Sequence, residues 1–267
     1  MVPLPMTIIA ADQGDELHPE IIADDGIASS LTEPKACQEI RDALPDSTPA
    51  ERQRFLASRS GNSVAAIVKL TNYLDWRREH CKHDSTDNYD AWESTCRQAI
   101  LMSKDETAHN DTKLPCVLFV HEFNDATSTP RRCIQVLPPR VDTSLANHST
   151  YALAIAIYLD RVLDRDSDEK VTLAIDVRVG KGWANISAFK LLPFIKATTK
   201  LVSELYPERL ERYLGAVKPF LDKETAGKVF LIPGPAGADA GLPETIQDVL
   251  DRDLIEKLEK MRHDCQV

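Results

Sequence analysis

Residues 194–232 read FIKATTKLVSELYPERLERYLGAVKPFLDKETAGKVFLI. The stretch parses as helix, stop, helix, strand. Leu201, Val202 and Leu205 recur at helical spacing. Pro207 ends that helix, because proline has no N–H to donate and its ring clashes with the preceding turn. The charged ERLER follows. A second helix opens around Lys218 and Pro219. It closes at Gly227, a residue suited to the left-handed conformation of helix ends. Val229, Phe230, Leu231 and Ile232 form an apolar run of buried-strand length.

Upstream, the same alternation recurs. CVLFV (116–120) and CIQVL (133–137) are β-branched runs separated by a polar turn, and they predict adjacent strands. Residues 150–162 are apolar nearly all round and predict a helix buried between layers. VTLAIDV (171–177) carries apolar residues on both faces, as a covered central strand does. The loop GKGWAN follows. Ser187 is placed to cap a helix running to Tyr206, with Pro193 kinking it or marking its start. Strands alternating with helices give an α/β layered fold.

Before this region the period is helical. Residues 33–80 predict three helices, interrupted by Pro45–Pro49 and by Gly61. In the third, Val64, Ile67, Val68, Leu70, Tyr73 and Leu74 are expected to form one broad apolar face. A further helix covers Tyr89–Met102 within a polar stretch. Residues 243–262 predict an amphipathic helix, broken near Asp251. The resulting division is a mobile tail at 1–32, a helical unit at 33–82, a linker with a helix at 83–112, and an α/β domain at 113–262.

With 43% hydrophobic residues, the 267-residue chain can bury a core, and its net charge of −10 argues against a nucleic-acid partner. The N-terminal run lacks the basic flank of a secretory signal. No stretch approaches the roughly 20 apolar residues of a spanning helix. Six cysteines without a CxxC pair predict reduced thiols and a cytoplasmic setting. The acceptor triplets at Asn110, Asn147 and Asn185 are then incidental.

No catalytic set emerges. The loop at 234–241 follows a strand but lacks the Lys-Ser/Thr of a phosphate loop, and there is no GxSxG elbow. Asp176, at the end of a buried strand, is either a metal carboxylate or a cap for the next loop. His80, Cys81 and His83 are too crowded for a tetrahedral metal site by themselves. His121 and Glu122 have no evident partner. The expectation is a binding protein, not an enzyme, with no catalytic residues, metal or cofactor.

Several segments, in order, resemble one family. RFLASR (54–59), NYLDWRREH (72–80), CIQVLPPRVD (133–142), VTLAIDVRVGKGWAN (171–185), YPERL (206–210), KPFLD (218–222) and KVF (228–230) are similar to segments of the CRAL-TRIO domain. That family includes phosphatidylinositol/phosphatidylcholine transfer proteins. The resemblance spans residues 33–258. It implies a β-sheet floor flanked by helices beneath a large apolar cavity, beside an N-terminal three-helix unit, with a gate helix near residues 242–258. Because an acyl chain in water costs about 0.8 kcal/mol per CH₂, a carrier needs such an enclosed pocket.

The implied partners are phosphatidylinositol, another phospholipid or another hydrophobic ligand, with transient contact to a membrane surface and a monomeric state. The implied headgroup site is Arg59, Glu208 and Lys228. A phosphodiester takes cations, and inositol hydroxyls take a carboxylate. Ser60 stands where phosphatidylinositol binders carry a second basic residue. Each position also has a local explanation: Arg59 and Lys228 as helix-end cations, and Glu208 as an i,i+4 partner of Arg212. After YPERL the family has an apolar strand and a helix before KPFLD. Here ERYLGAV joins the two directly, shorter by roughly a strand and a turn, so a central strand is expected to be missing. The alternative function is a degenerate interaction or scaffold module whose cavity is lost with that strand.

Overall fold

The computed structural model describes residues 33–81, 91–109, 111–125, 127–214, 229–230, 237–242, 244–248 and 250–266. The expected tail at 1–32, the helix opening at Lys218 and Pro219, and Lys228 itself lie outside them.

Three helices open the described chain: α1 (Lys35–Ala43), α2 (Pro49–Ala57) and α3 (Ser63–His80). Thr48 and Glu51 start α2 with a reciprocal capping box, the Thr48 hydroxyl accepting from the Glu51 N–H and the Glu51 carboxylate from the Thr48 N–H. On α3 the buried face is Ala66, Leu70, Tyr73 and Leu74. Val64 and Val68, expected on that face, are instead 72% and 59% exposed. A face at i, i+4, i+7 and i+8 leaves positions 64 and 68 on the flank, so only part of the apolar stripe is used. Ile40, Phe55, Leu70 and Tyr73 pack with Ala156 and Leu205, which fixes the helical unit against the rest of the chain.

The next elements are α4 (Ala91–Ser103), β1 (Leu118–Asn124), β2 (Pro130–Val136), α5 (His148–Val162), β3 (Val171–Ile175), α6 (Ala188–Leu205), β4 (Leu210–Leu214) and β5 (Val229–Phe230). The five strands lie in the order β1-β2-β3-β4-β5, with β1 antiparallel to β2 and the rest parallel. Steps β2 to β3 and β3 to β4 run the same way across the sheet. Right-handed crossovers therefore put α5 and α6 on the same face. β3 is the central strand.

The expected missing strand is present. Leu210–Leu214 pairs in parallel with β3 and with β5, with one register irregularity opposite Val171 and Thr172. Flanking strands on both sides supply partners for its backbone, and that context outweighs a charged pair in a five-residue run. Pro193 lies inside α6, which starts at Ala188. Ser187 occupies the N-cap, but its side chain makes no capping bond. Asn147 caps α5, accepting from the Thr150 N–H at 2.9 Å.

The C-terminal helix α7 (Arg252–Asp264) follows a 3-10 turn, Glu244–Asp248, and starts after Asp251, where the break was expected. Its Leu254 and Leu258 pack with Phe123, Cys133 and Ala174. Those residues lie on the sheet face opposite α5 and α6, because Ile134 and Val136 alternate with Cys133 and Gln135. The expected gate near 242–258 is thus on the wrong side of the sheet to close a cavity under α5 and α6.

His121 has a partner after all. Its Nε2 is 2.9 Å from Gln135 Oε1, and the Gln135 amide donates to the Leu258 carbonyl at 3.1 Å, beneath α7. Burial pushes the imidazole below its ordinary value near 6.5, with the nearby Lys257 ammonium adding to the shift and Gln135 opposing it. A depressed folded-state value means the unfolded chain takes up the proton more readily. His121 therefore contributes stability above about pH 6.5 that is lost as the pH falls through the lower folded value. The urea midpoint should fall between about pH 7 and pH 5, and His121→Gln should reduce that fall. An unchanged pH dependence in the variant would remove His121 from the account.

Candidate functional site

α5 and α6 stand off the sheet and leave a cavity of about 550 Å³. Its floor is Leu118, Ile134, Val136, Val171, Leu173 and Ile175. Its roof is Ile155 and Leu159 of α5, Leu163 just past that helix, and Phe194, Ile195 and Val202 of α6. Native cores seldom leave voids larger than a water molecule. A space of this size falls within the range of small-molecule sites.

Polar residues join the lining at one end of α6. Arg59, Ser60, Lys69, Ser203, Glu204, Glu208 and Arg209 all border the same cavity. The sequence-predicted Arg59 and Glu208 are therefore brought to one site. The third predicted residue, Lys228, is outside the described chain. Lys69 and Arg209 were not anticipated. Lys69 reads as an ordinary exposed position of α3. Arg209 stands inside the YPERL segment, next to Glu208.

Local structure holds these groups. Arg59 lies in the turn just past α2, where Ser60 and Gly61 both take positive φ, 50° and 83°, and the Gly61 N–H returns to the Leu56 carbonyl at 3.0 Å. The Lys69 ammonium donates to the Ser203 carbonyl at 3.1 Å, tying α3 to α6. Partial burial pushes Lys69 below its usual range; Glu204 opposes that shift, Arg59 adds to it and Glu208 opposes it. Tyr206 donates from its hydroxyl to the Ala156 carbonyl at 2.6 Å, joining α6 to α5.

Arg209 is 4% exposed. Its guanidinium donates to the carbonyls of Glu169, at 2.9 Å, and Asp164. Burial lowers its pKa, against the pull of Glu169. Its Nε is buried without a hydrogen-bond partner, as is the Oγ1 of Thr198, another lining residue. An unmet buried donor costs about 1–3 kcal/mol. Beside them, Arg54 is lowered to about 10, first by burial and then by Arg209. Two buried guanidinium groups thus lie close together beside this end of the cavity, with Glu51, Asp168 and Glu169 near enough to oppose their shifts.

Glu208 has a φ of +60°. A non-glycine residue held there stores on the order of 1 kcal/mol of backbone strain. It turns the chain from α6 into β4. Glu208→Gly should be more stable than Glu208→Ala by about 1 kcal/mol in urea unfolding, since only glycine takes that conformation freely. Equal stabilities would mean that the turn relaxes without cost.

The other candidate residues are accounted for elsewhere. Both oxygens of Asp176 are taken by Arg178, at 2.9 and 2.6 Å, and its Oδ1 accepts from the Arg178 N–H. It is a loop cap and ion-pair partner. The His80 ring stacks on Trp76 at 5.2 Å, with its Nδ1 2.9 Å from the Trp76 carbonyl. Among the described residues, no group of three His, Cys, Asp or Glu side chains is placed to hold a metal ion. Among them, too, no helix is long and apolar enough to cross a membrane.

No family model matches the chain, and no curated protein matches it in sequence. A solved structure to which it is similar is the crystal structure of Sfh5, with a TM-score of 0.43 at 16% identity over 73% of this chain. The match spans 65% of the length of that structure.

Proposed function

We propose that this chain binds an amphiphilic lipid, its apolar part between the sheet and α5/α6 and its polar part among Arg59, Lys69, Glu208 and Arg209. Phosphatidylinositol is the leading ligand and another phospholipid the next. The single observation that carries the reading is one continuous lining. It runs from Leu173 and Val202, which are apolar, to a polar end that holds Arg59, Glu208 and Arg209. A hydrocarbon tail gains about 25 cal/mol per Å² on entering such a space. An anionic headgroup gains charge-assisted hydrogen bonds from arginine. The chain-order resemblance to CRAL-TRIO domains supports the same reading. It casts the protein as a carrier that visits membranes, acting in the cytoplasm as a monomer without catalysis.

The scaffold alternative rested on the loss of a central strand. β4 stands in that place and the cavity persists, so no observation favours it. The test is uptake by delipidated protein from vesicles containing fluorescent phosphatidylinositol or fluorescent phosphatidylcholine. Saturable uptake of either is expected, with Arg59→Glu weakening phosphatidylinositol more than phosphatidylcholine. Absence of uptake from both would defeat the reading.

A further inference from the structure

Residues 177–203 contain five basic residues and no Asp or Glu, in a chain whose net charge is −10. The segment comprises the loop after β3 and nearly all of α6. Arg178 turns inward to Asp176 and Glu259, and Lys181 pairs with Asp239 at 2.5 Å. The other three, Lys190, Lys196 and Lys200, are exposed on α6.

The same helix carries Phe189, which is 82% exposed, the largest exposure among the exposed large hydrophobic residues. Phe189, Pro193, Lys196 and Lys200 are all exposed and follow one another at i, i+4, i+7 and i+11, so they form one stripe along the outer face. Just before the helix, Val177 and Val179 are 36% and 38% exposed. The inner face of α6, with Phe194, Ile195, Thr198 and Val202, lines the cavity.

We propose that the outer face of α6, led by Phe189, Lys190 and Lys200, docks this protein on an anionic lipid bilayer. An exposed aromatic ring above a lysine stripe suits the membrane interface. The ring enters the headgroup boundary and the ammonium groups meet lipid phosphates. The charge distribution names the occupant. An anionic surface attracts this face and repels the acidic remainder of the chain, so binding is oriented as well as favourable. The helix that faces the bilayer on one side walls the cavity on the other. The inference rests on the lipid-carrier reading for its purpose, but the surface stands on its own residues.

The experiment measures co-sedimentation of the full chain with vesicles of phosphatidylcholine alone and of phosphatidylcholine doped with phosphatidylserine. The wild type should bind the phosphatidylserine vesicles at low salt and release them as the screening length shortens. The triple variant Phe189→Ser, Lys190→Glu, Lys200→Glu should bind at least about tenfold less tightly. Lys190→Arg with Lys200→Arg should bind as the wild type does. All three positions are exposed and outside the cavity lining, so the thermal midpoint and the lipid retained in native mass spectrometry should not change. Undiminished vesicle binding by the triple variant would overturn the proposal. So would failure of the wild type to bind, or a concentration-dependent dimer that the triple variant abolishes. Retained lipid in any of these cases would leave the cavity reading standing.

Discussion

Leu173→Trp and Val202→Trp, made singly, should each weaken lipid binding by about 100-fold. Leu173 comes from the floor and Val202 from the roof of the same cavity. An indole placed at either position takes the room of roughly four methylenes of a bound chain. At about 0.8 kcal/mol each, that is about 3 kcal/mol of lost burial, or about two decades in affinity. Both variants put apolar atoms into space that is already apolar. The fold should hold, with a thermal midpoint equal to or above that of the wild type. Titration with a fluorescent phospholipid checks the first outcome and a thermal melt the second. Unchanged affinity in both variants would place the ligand elsewhere.

Glu51→Ala should cost about 3–5 kcal/mol of stability, the range for breaking a buried ion pair. The Glu51 side chain is fully buried, and its two oxygens meet the Arg165 guanidinium at 2.7 and 2.9 Å. It also accepts from the Thr48 N–H at the start of α2. The substitution removes a helix cap and strands Arg165 at the joint between α2 and the loop after α5. The loss is reported by the urea midpoint, and Glu51→Gln should cost less because it keeps the cap. Arg59 sits at the far end of α2, so Glu51→Ala should also blur phosphatidylinositol selectivity in whatever fraction stays folded. A cost under about 1 kcal/mol, typical of surface pairs, would show that the joint is not cooperative.

Elements with their own local signals were legible in the sequence. The break at Pro45–Pro49 before α2, the alanine- and isoleucine-rich run of α5, and the amphipathic period of α7 each carry a signal that needs no neighbour. The features that were not legible depend on partners distant in sequence. β4 is a strand because β3 and β5 flank it. His121 is buried because β2 and α7 come over it, and that burial lowers its pKa. α7 carries the apolar stripe expected of a gate, but its stripe does not say which sheet face it covers. Val64 and Val68 satisfy helical spacing as well as Leu70 does, and only packing decides between them.

The candidate site was legible in part for the same reason. Arg59 and Glu208 stand in motifs, so they could be named before any geometry was known. Lys69 enters through the side chain it sends to the Ser203 carbonyl, 134 residues away. Arg209 owes its unmet Nε to a loop at 164–169 that wraps the rest of its guanidinium. Neither relation has a sequence signature.

The most direct measurement is native mass spectrometry of the full chain purified from a lipid-containing host, followed by organic extraction of the adduct. The account predicts one bound phospholipid per chain, lost or shortened in Leu173→Trp, with an anionic headgroup whose retention depends on Arg59 and Arg209. A bare protein mass that persists after incubation with phosphatidylinositol and phosphatidylcholine vesicles would contradict it.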